Sequence, residues 1–367
     1  MRQQPSTHRD PWFDNAKFLL ICLVVVGHSW ALLEANATED WLYRFLYAWH
    51  MPAFALITGH FSRSFTWSPR RLRSLVTTVA IPYVVFEGAL AWVQVHLGHR
   101  DLHDLWINPH WPMWYLAALF VWRLLTPVLL RVPAPVTVSV LASLTGGLWA
   151  GDVLDLSRIV GMLPFFVLGL TLHRGHWELL NTPRARLWAL ATMATLLGLA
   201  RVPSDWVPTE WLYYRTPYAG LDTNLLQAAS IRMVLLIVGT AGALAFLALA
   251  PRRHSWLTGL GTATIVVYLF HGFAVLPVRF SGFPAWSVGH PVLGLAVTTA
   301  GAVVVATLLA WPPVSRRLHV LVDPIGSLQR LRSATSRQAG PAGRTEVRPV
   351  PAIRCDPPLR LPAGAGW

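Results

Sequence analysis

The chain has 367 residues, of which 54% are hydrophobic and only 13% charged, and a formal net charge of +13. A soluble domain carries about 25% charged residues, so a water-surrounded globular core is excluded, and the apolar content excludes disorder for most of the chain. An excess of basic residues points to nucleic acid in a soluble protein and to cytoplasmic loops in a membrane protein; their positions decide which.

A bilayer-spanning helix needs about 20 predominantly apolar residues. The sequence offers ten such stretches, at 18–35, 41–61, 74–97, 112–132, 134–150, 157–172, 187–200, 230–250, 257–277 and 291–313. Their apolar runs are continuous rather than alternating, which predicts helices and not a barrel. The predicted fold is all-α: a polytopic membrane protein with about ten transmembrane helices and both termini cytoplasmic. Residues 1–17 form a cytoplasmic N-terminal segment, 18–313 the transmembrane domain, and 314–367 a basic, largely disordered cytoplasmic tail. No internal repeat stands out, and the spans read as unbroken by Gly/Pro pairs.

Charge supports that topology. With the N-terminus inside, 22 of the 30 basic residues fall on the cytoplasmic side, nine of them in the tail. The outer side holds Arg100, Arg158, Arg201, Arg215 and Arg279. Such asymmetry is the positive-inside rule, so the excess reports topology and nucleic acid is not an expected partner. Trp30, Trp41 and Trp286 fall at the outer interface and Trp67, Trp177, Trp256 and Trp311 at the inner one, as an aromatic belt requires. The expected location is multi-pass, in the inner (plasma) membrane of a bacterial cell.

Ionisable groups inside spans are costly and mark function. They are His28, His50, Glu87, Arg123 and His271, with His60 near an inner end. At about 1.5 Å per residue, His28, His50, Glu87 and His271 reach the middle to outer half of the bilayer and can converge on one cavity. One buried His alone is as well explained by a helix–helix hydrogen bond; several at one depth favour proton-transfer chemistry. No HExxH-type spacing appears, so no metal site is expected. Lys17 and His28 are eleven residues apart, which returns them to within about 20° on one helix face, separated by about 16 Å. That stripe suits a long phosphorylated arm with its phosphates near Lys17 and its reactive end near His28. Lys17 also reads simply as a snorkelling interfacial cation. The segment 201–229, with its Trp, Tyr and Asp residues, suits either an acceptor platform or ordinary interfacial anchoring.

The chain resembles the integral-membrane acyltransferase 3 family, in particular its fucose 4-O-acetylase-like branch. The resemblance rests on Asp14-Asn15-x-Lys17 with Gly27-His28, on His50-Met51-Pro52-Ala53-Phe54 with Thr58-Gly59, on Arg70-Arg71-x-Arg73 with Ile81-Pro82-Tyr83, on Trp114-Tyr115-Leu116, and on Gly261-Thr262-Ala263-Thr264 with Tyr268-Leu269-x-His271. It implies transfer of an acyl group, usually acetyl, from cytoplasmic acyl-CoA to a hydroxyl of a sugar or related envelope acceptor. Acyl-CoA is then a co-substrate, with no permanently bound cofactor. It also implies an essential histidine in the first span, matched by His28; depth alone suggests His50, His271 and Glu87 as groups that assist it. Lys17 stands where Arg is usual, and Thr58 where Ser is common. Lys17, Arg70, Arg71, Arg73 and Trp114 are the expected donor-binding residues, although topology alone accounts equally well for the arginine cluster. The competing class is a secondary transporter or flippase with a His/Glu proton relay; the missing repeats and span breaks weigh against it.

Overall fold

The computed structural model describes residues 10–33, 37–99, 105–109, 112–151, 153–202, 208–221, 223–323 and 326–327. Arg2, Arg9, Arg100 and most of the expected tail lie outside the described residues. Met1–Pro324 form one compact unit. All the helices and cavities described below belong to it. Among the described residues there is no strand.

In chain order the helices are α1 (Pro11–Trp30), α2 (Ala37–Tyr47), α3 (His50–Ser62), α4 (Pro69–Leu75), α5 (Ile81–Gly98), α6 (Trp114–Leu129), α7 (Pro135–Trp149), α8 (Leu156–Gly161) and α9 (Leu163–Thr171). They continue with α10 (Arg174–Leu179), α11 (Pro183–Leu199), α12 (Glu210–Tyr213), α13 (Leu225–Leu249), α14 (Trp256–Leu260), α15 (Thr264–Arg279), α16 (Phe283–Gly289), α17 (Pro291–Ala310) and α18 (Pro312–Val322). α18 occupies the start of the segment expected as tail.

Among the described residues five stretches are long and apolar enough to cross a membrane: α1, α4 with α5, α13, α14 with α15, and α17. The pair α8–α9, bent by 53°, makes a sixth. The other four expected spans fall on shorter or interrupted helices. α6 and α7 are apolar but short, α11 has 17 residues, and the second span is split into α2 and α3. The chain is therefore an all-helical multi-pass membrane protein.

The expectation of unbroken spans is corrected by the structure, and proline is the reason. A proline inside a helix removes one hydrogen bond and clashes with the carbonyl four residues back. Pro52 would strike the carbonyl of Ala48, and the chain leaves the helix at Ala48–Trp49. Pro164 stands in the same relation to Val160, and the α8–α9 bend lies at Met162. Pro82 follows a π-helical turn at Val76–Ala80 that widens the ladder before α5. The absence of breaks thus no longer counts against a transporter.

α1 is the helix around which the site is built. Asp10 caps it, its carboxylate accepting from the Trp12 N–H at 3.0 Å, and Pro11 opens its first turn, as such a start favours. Of its apolar stretch 83% is buried, against 22% for α17, so α1 is interior and α17 presents most of its surface to lipid. α1 packs on α3, α14, α15 and α17. α3 crosses α9 at backbone contact: a Cβ on Gly59 would lie 1.9 Å from the Phe166 carbonyl oxygen, and one on Gly169 1.9 Å from that of Leu56. Small residues permit this in membranes, where close packing drives association.

Basic and aromatic residues gather at the N-terminal end of α1. The Arg252 guanidinium lies 3.7 Å over the Trp12 ring, Phe13 stacks on His60 at 4.7 Å, and Arg63 donates to the Leu170 carbonyl at 2.9 Å. Residues assigned to the inner side by charge counting therefore share one end.

Candidate active site

The Asp14-Asn15-x-Lys17 segment divides its labour. Asn15 is fully buried. Its amide donates to the carbonyls of Pro251 and Arg253, each at 2.9 Å, and its oxygen accepts from Thr258 at 2.8 Å and Ser255 at 3.3 Å. It fixes α1 against the turn that leads into α14. Replacing Asn15 with Ala is expected to destabilise the protein by about 2 kcal/mol or more, because buried carbonyls and hydroxyls lose their partner; a lower thermal unfolding midpoint in detergent measures this. Asp14 turns the other way and accepts from Lys17 Nζ at 2.7 Å. That ion pair and the Phe61 ring, 5.2 Å from Nζ, hold the ammonium at the mouth of a cavity.

This first cavity, about 310 Å³, runs along α1 and is walled by Lys17, Ile21, Val24 and His28. α3 contributes Met51, Phe54, Ile57 and Thr58, and α6 contributes Trp114, Tyr115, Leu119 and Arg123. Lys17 and His28 are the two ends of one stripe, as their spacing predicts. The middle is apolar, with a hydroxyl pair (Thr58 Oγ1 and Tyr115 OH, 2.6 Å apart) on one side. Near Lys17 a smaller pocket of about 190 Å³ shares Phe61 and Arg123 with it and adds Arg71. Arg70 and Arg73 are exposed on α4 and line neither cavity.

A second cavity, also about 310 Å³, opens from the other side of His28. Its wall carries Tyr43, Tyr47 and His50, then Arg158, Tyr213, Arg215 and Arg279. His28, Met51 and Trp114 belong to both walls. The imidazole of His28 thus stands at the partition between the two spaces.

Two histidines flank it. The ring of His271 lies edge-on to that of His28, with centroids 5.2 Å apart. Its Nδ1 faces the carbonyls of Tyr268 at 2.6 Å and Val267 at 3.2 Å. A carbonyl can only accept, so Nδ1 carries the proton and Nε2 of the neutral ring is an acceptor. His50 is set the same way, with Nδ1–H donating to the Leu46 carbonyl at 2.8 Å. The Pro52 break puts His50 in the first turn of α3, under the Tyr47 ring at 4.7 Å. Gly27 makes room for this: a Cβ there would meet the Tyr47 ring at 3.2 Å. Glu87 is fully buried on α5, which packs on α15, the helix of His271. It lines neither cavity.

Two charged groups carried no expected role at this site. Arg123 is flagged by its intramembrane position, and it joins the first cavity to the Arg71 pocket. Arg158 reads from sequence only as an outer-side exception to the charge rule. Its guanidinium lies 5.0 Å from the Trp114 ring and 5.8 Å from the Tyr213 ring, and 3.4 Å from Asp155. Among the described residues no cluster of His, Cys, Asp and Glu is arranged to hold a metal ion.

No solved structure matches the chain. It is similar to the nodulation protein NolL of Sinorhizobium fredii (strain NBRC 101917 / NGR234), with 23% identity over 318 residues covering 73% of this chain and 78% of that protein. The acyltransferase domain profile of the acyltransferase 3 family matches residues 10–311, which takes in α1 through α17 and every wall of both cavities. The chain that sets His28 between two cavities belongs to that family and is a membrane acyltransferase.

Proposed function

We propose that the protein moves an acetyl group from cytoplasmic acetyl-CoA to a hydroxyl of a carbohydrate or related envelope acceptor in the bacterial inner membrane. The observation that carries this reading is the shared partition: two cavities with different linings have His28 in common. The first takes the donor. Lys17, Arg123 and Arg71 meet the phosphates of coenzyme A, and the apolar middle accepts its long arm. The second takes the acceptor. The basic residues gathered at the Lys17 end support a cytoplasmic orientation for that end.

In this mechanism His28 removes the proton from the acceptor hydroxyl as its oxygen attacks the thioester carbonyl. A C–O bond forms, the C–S bond breaks, and the departing CoA sulfur takes the proton back. In a two-step variant the acetyl group rests on His28 first. His271, with Nε2 as acceptor, orients the His28 ring, and Glu87, on the helix packed against that of His271, sets the tautomer. His50 faces the acceptor side.

Purified protein given acetyl-CoA labelled in the acetyl group and a set of envelope glycans tests the reading: label on a glycan hydroxyl with release of free CoA supports it. An intact thioester under all acceptors would falsify it and return the transporter alternative. Lys17→Ala should raise KM for acetyl-CoA about tenfold, the order expected for one charge-assisted contact, whereas Lys17→Arg should keep it near the native value. Equal KM in all three proteins would remove Lys17 from the donor site.

A further inference from the structure

The wall of the second cavity has a charge pattern that acyl transfer to a neutral sugar does not require. Its charged side chains apart from histidine are Arg158, Arg215 and Arg279. Two of them share one carboxylate: Arg158 lies 3.4 Å from one oxygen of Asp155 and Arg215 3.5 Å from the other. The Asp155 side chain is only 2% exposed and that of Arg158 15%, while Arg215 keeps 45%. Burying a guanidinium is costly unless it is paired, and here one anion serves two cations.

The backbone at this point is also held in an unusual shape. Asp155 and Tyr214, on either side of the arginine pair, have φ of 55° and 56°. Non-glycine residues reach this region only at a cost, and such strain gathers at functional sites. Topology argues in the same direction. Arginine is disfavoured on the outer side, yet three of the five outer arginines expected from the sequence meet in this one wall.

From this arrangement we infer that the acceptor is anionic, bearing a carboxylate or phosphate group that docks on Arg215 and the edge of Arg158 while its hydroxyl reaches His28. Guanidinium matches either group through paired N–H donors. The Trp114 and Tyr213 rings, 5.0 and 5.8 Å from the Arg158 guanidinium, and the Asp155 carboxylate at 3.4 Å hold Arg158 in place, so the anion meets a preorganised donor. The Tyr43 and Tyr213 hydroxyls, 2.8 Å apart, border the space left for the sugar ring. The inference rests on the assignment of the second cavity to the acceptor.

The full chain in lipid nanodiscs, titrated at fixed ionic strength with acetyl-CoA, glucuronate, glucose 1-phosphate and glucose, tests it through thermal stabilisation. One of the two anions should half-saturate at a concentration about tenfold or more below that of glucose. Arg215→Ala should erase that difference while leaving acetyl-CoA binding as it was. The tighter of glucuronate and glucose 1-phosphate identifies carboxylate or phosphate as the group recognised. Equal response to the three sugars, absence of any sugar response, or a preference that survives Arg215→Ala overturns the inference. Loss of acetyl-CoA binding in Arg215→Ala overturns it too, and gives the cavity to the donor. Failure of acetyl-CoA to bind or be consumed by the unaltered protein is a separate result, and it counts against acyl transfer itself.

Discussion

His28→Ala is expected to lower acetyl transfer by about 100- to 10,000-fold, the range in which a positioned general base contributes. The side chain is 6% exposed, and among the described residues it is the one imidazole that belongs to both cavity walls. His271 stands behind it and His50 lies to one side, in the second wall only. Alanine leaves a small void, and the protein should still elute as a single species and bind acetyl-CoA. Transfer near the native rate in that folded variant sinks the role. The relay variant has its own signature. With acceptor withheld, the native protein should carry an acetyl mass increment on the peptide containing His28, and direct transfer predicts none.

Gly169→Val is expected to have the largest structural effect. Helices α3 and α9 meet where each glycine faces the carbonyl of the other helix, and a Cβ at Gly169 would sit 1.9 Å from the Leu56 oxygen. No rotamer relieves a backbone clash, so the helices must part. Overpacking costs about 1–3 kcal/mol where side chains can adjust and more where they cannot. α3 carries His50, Met51 and Thr58 into the cavities, so separation disturbs both spaces. The variant should fail to yield a monodisperse protein at the native yield. Gly198→Val is the control, because a Cβ on Gly198 meets nothing within 4 Å. Equal yields and unfolding midpoints for the two variants would show that the crossing tolerates expansion.

Much of this was legible from residue spacing, for a physical reason in each case. Lys17 and His28 share a face because eleven residues nearly close three helical turns, and one uninterrupted helix preserves that phase. Depth set His28, His50, Glu87 and His271 at one level, and His271 does stand beside His28 at 5.2 Å, but His271 and Glu87 line neither cavity and His50 only the second. Other features depend on partners far away in the chain. Asn15 reads as one polar residue in a motif, and its role appears only when residues 251–258 are brought against it. Arg158 reads as a loop residue because its partners, Trp114 and Tyr213, come from other helices. The segment containing Tyr213 and Arg215 was as compatible with anchoring as with recognition. The span breaks were legible in principle, since Pro52 and Pro164 mark the carbonyls they would strike. Hydropathy averaged over a window conceals that signal.

With the two cavities opening on opposite sides of the membrane, as the proposed function requires, the partition that His28 shares with Met51 and Trp114 has a bioenergetic consequence. A cell membrane holds a voltage, worth about 2.3 kcal/mol per elementary charge for each 100 mV, and two water-accessible spaces meeting without a barrier would let protons run down it. A thioether and an indole leave a proton little to hop along, so ionic leakage is limited to what one imidazole can pass. Widening this wall, for instance with Met51→Ala, converts a question of substrate fit into one of membrane conductance, and growth of the host at low external pH becomes its readout.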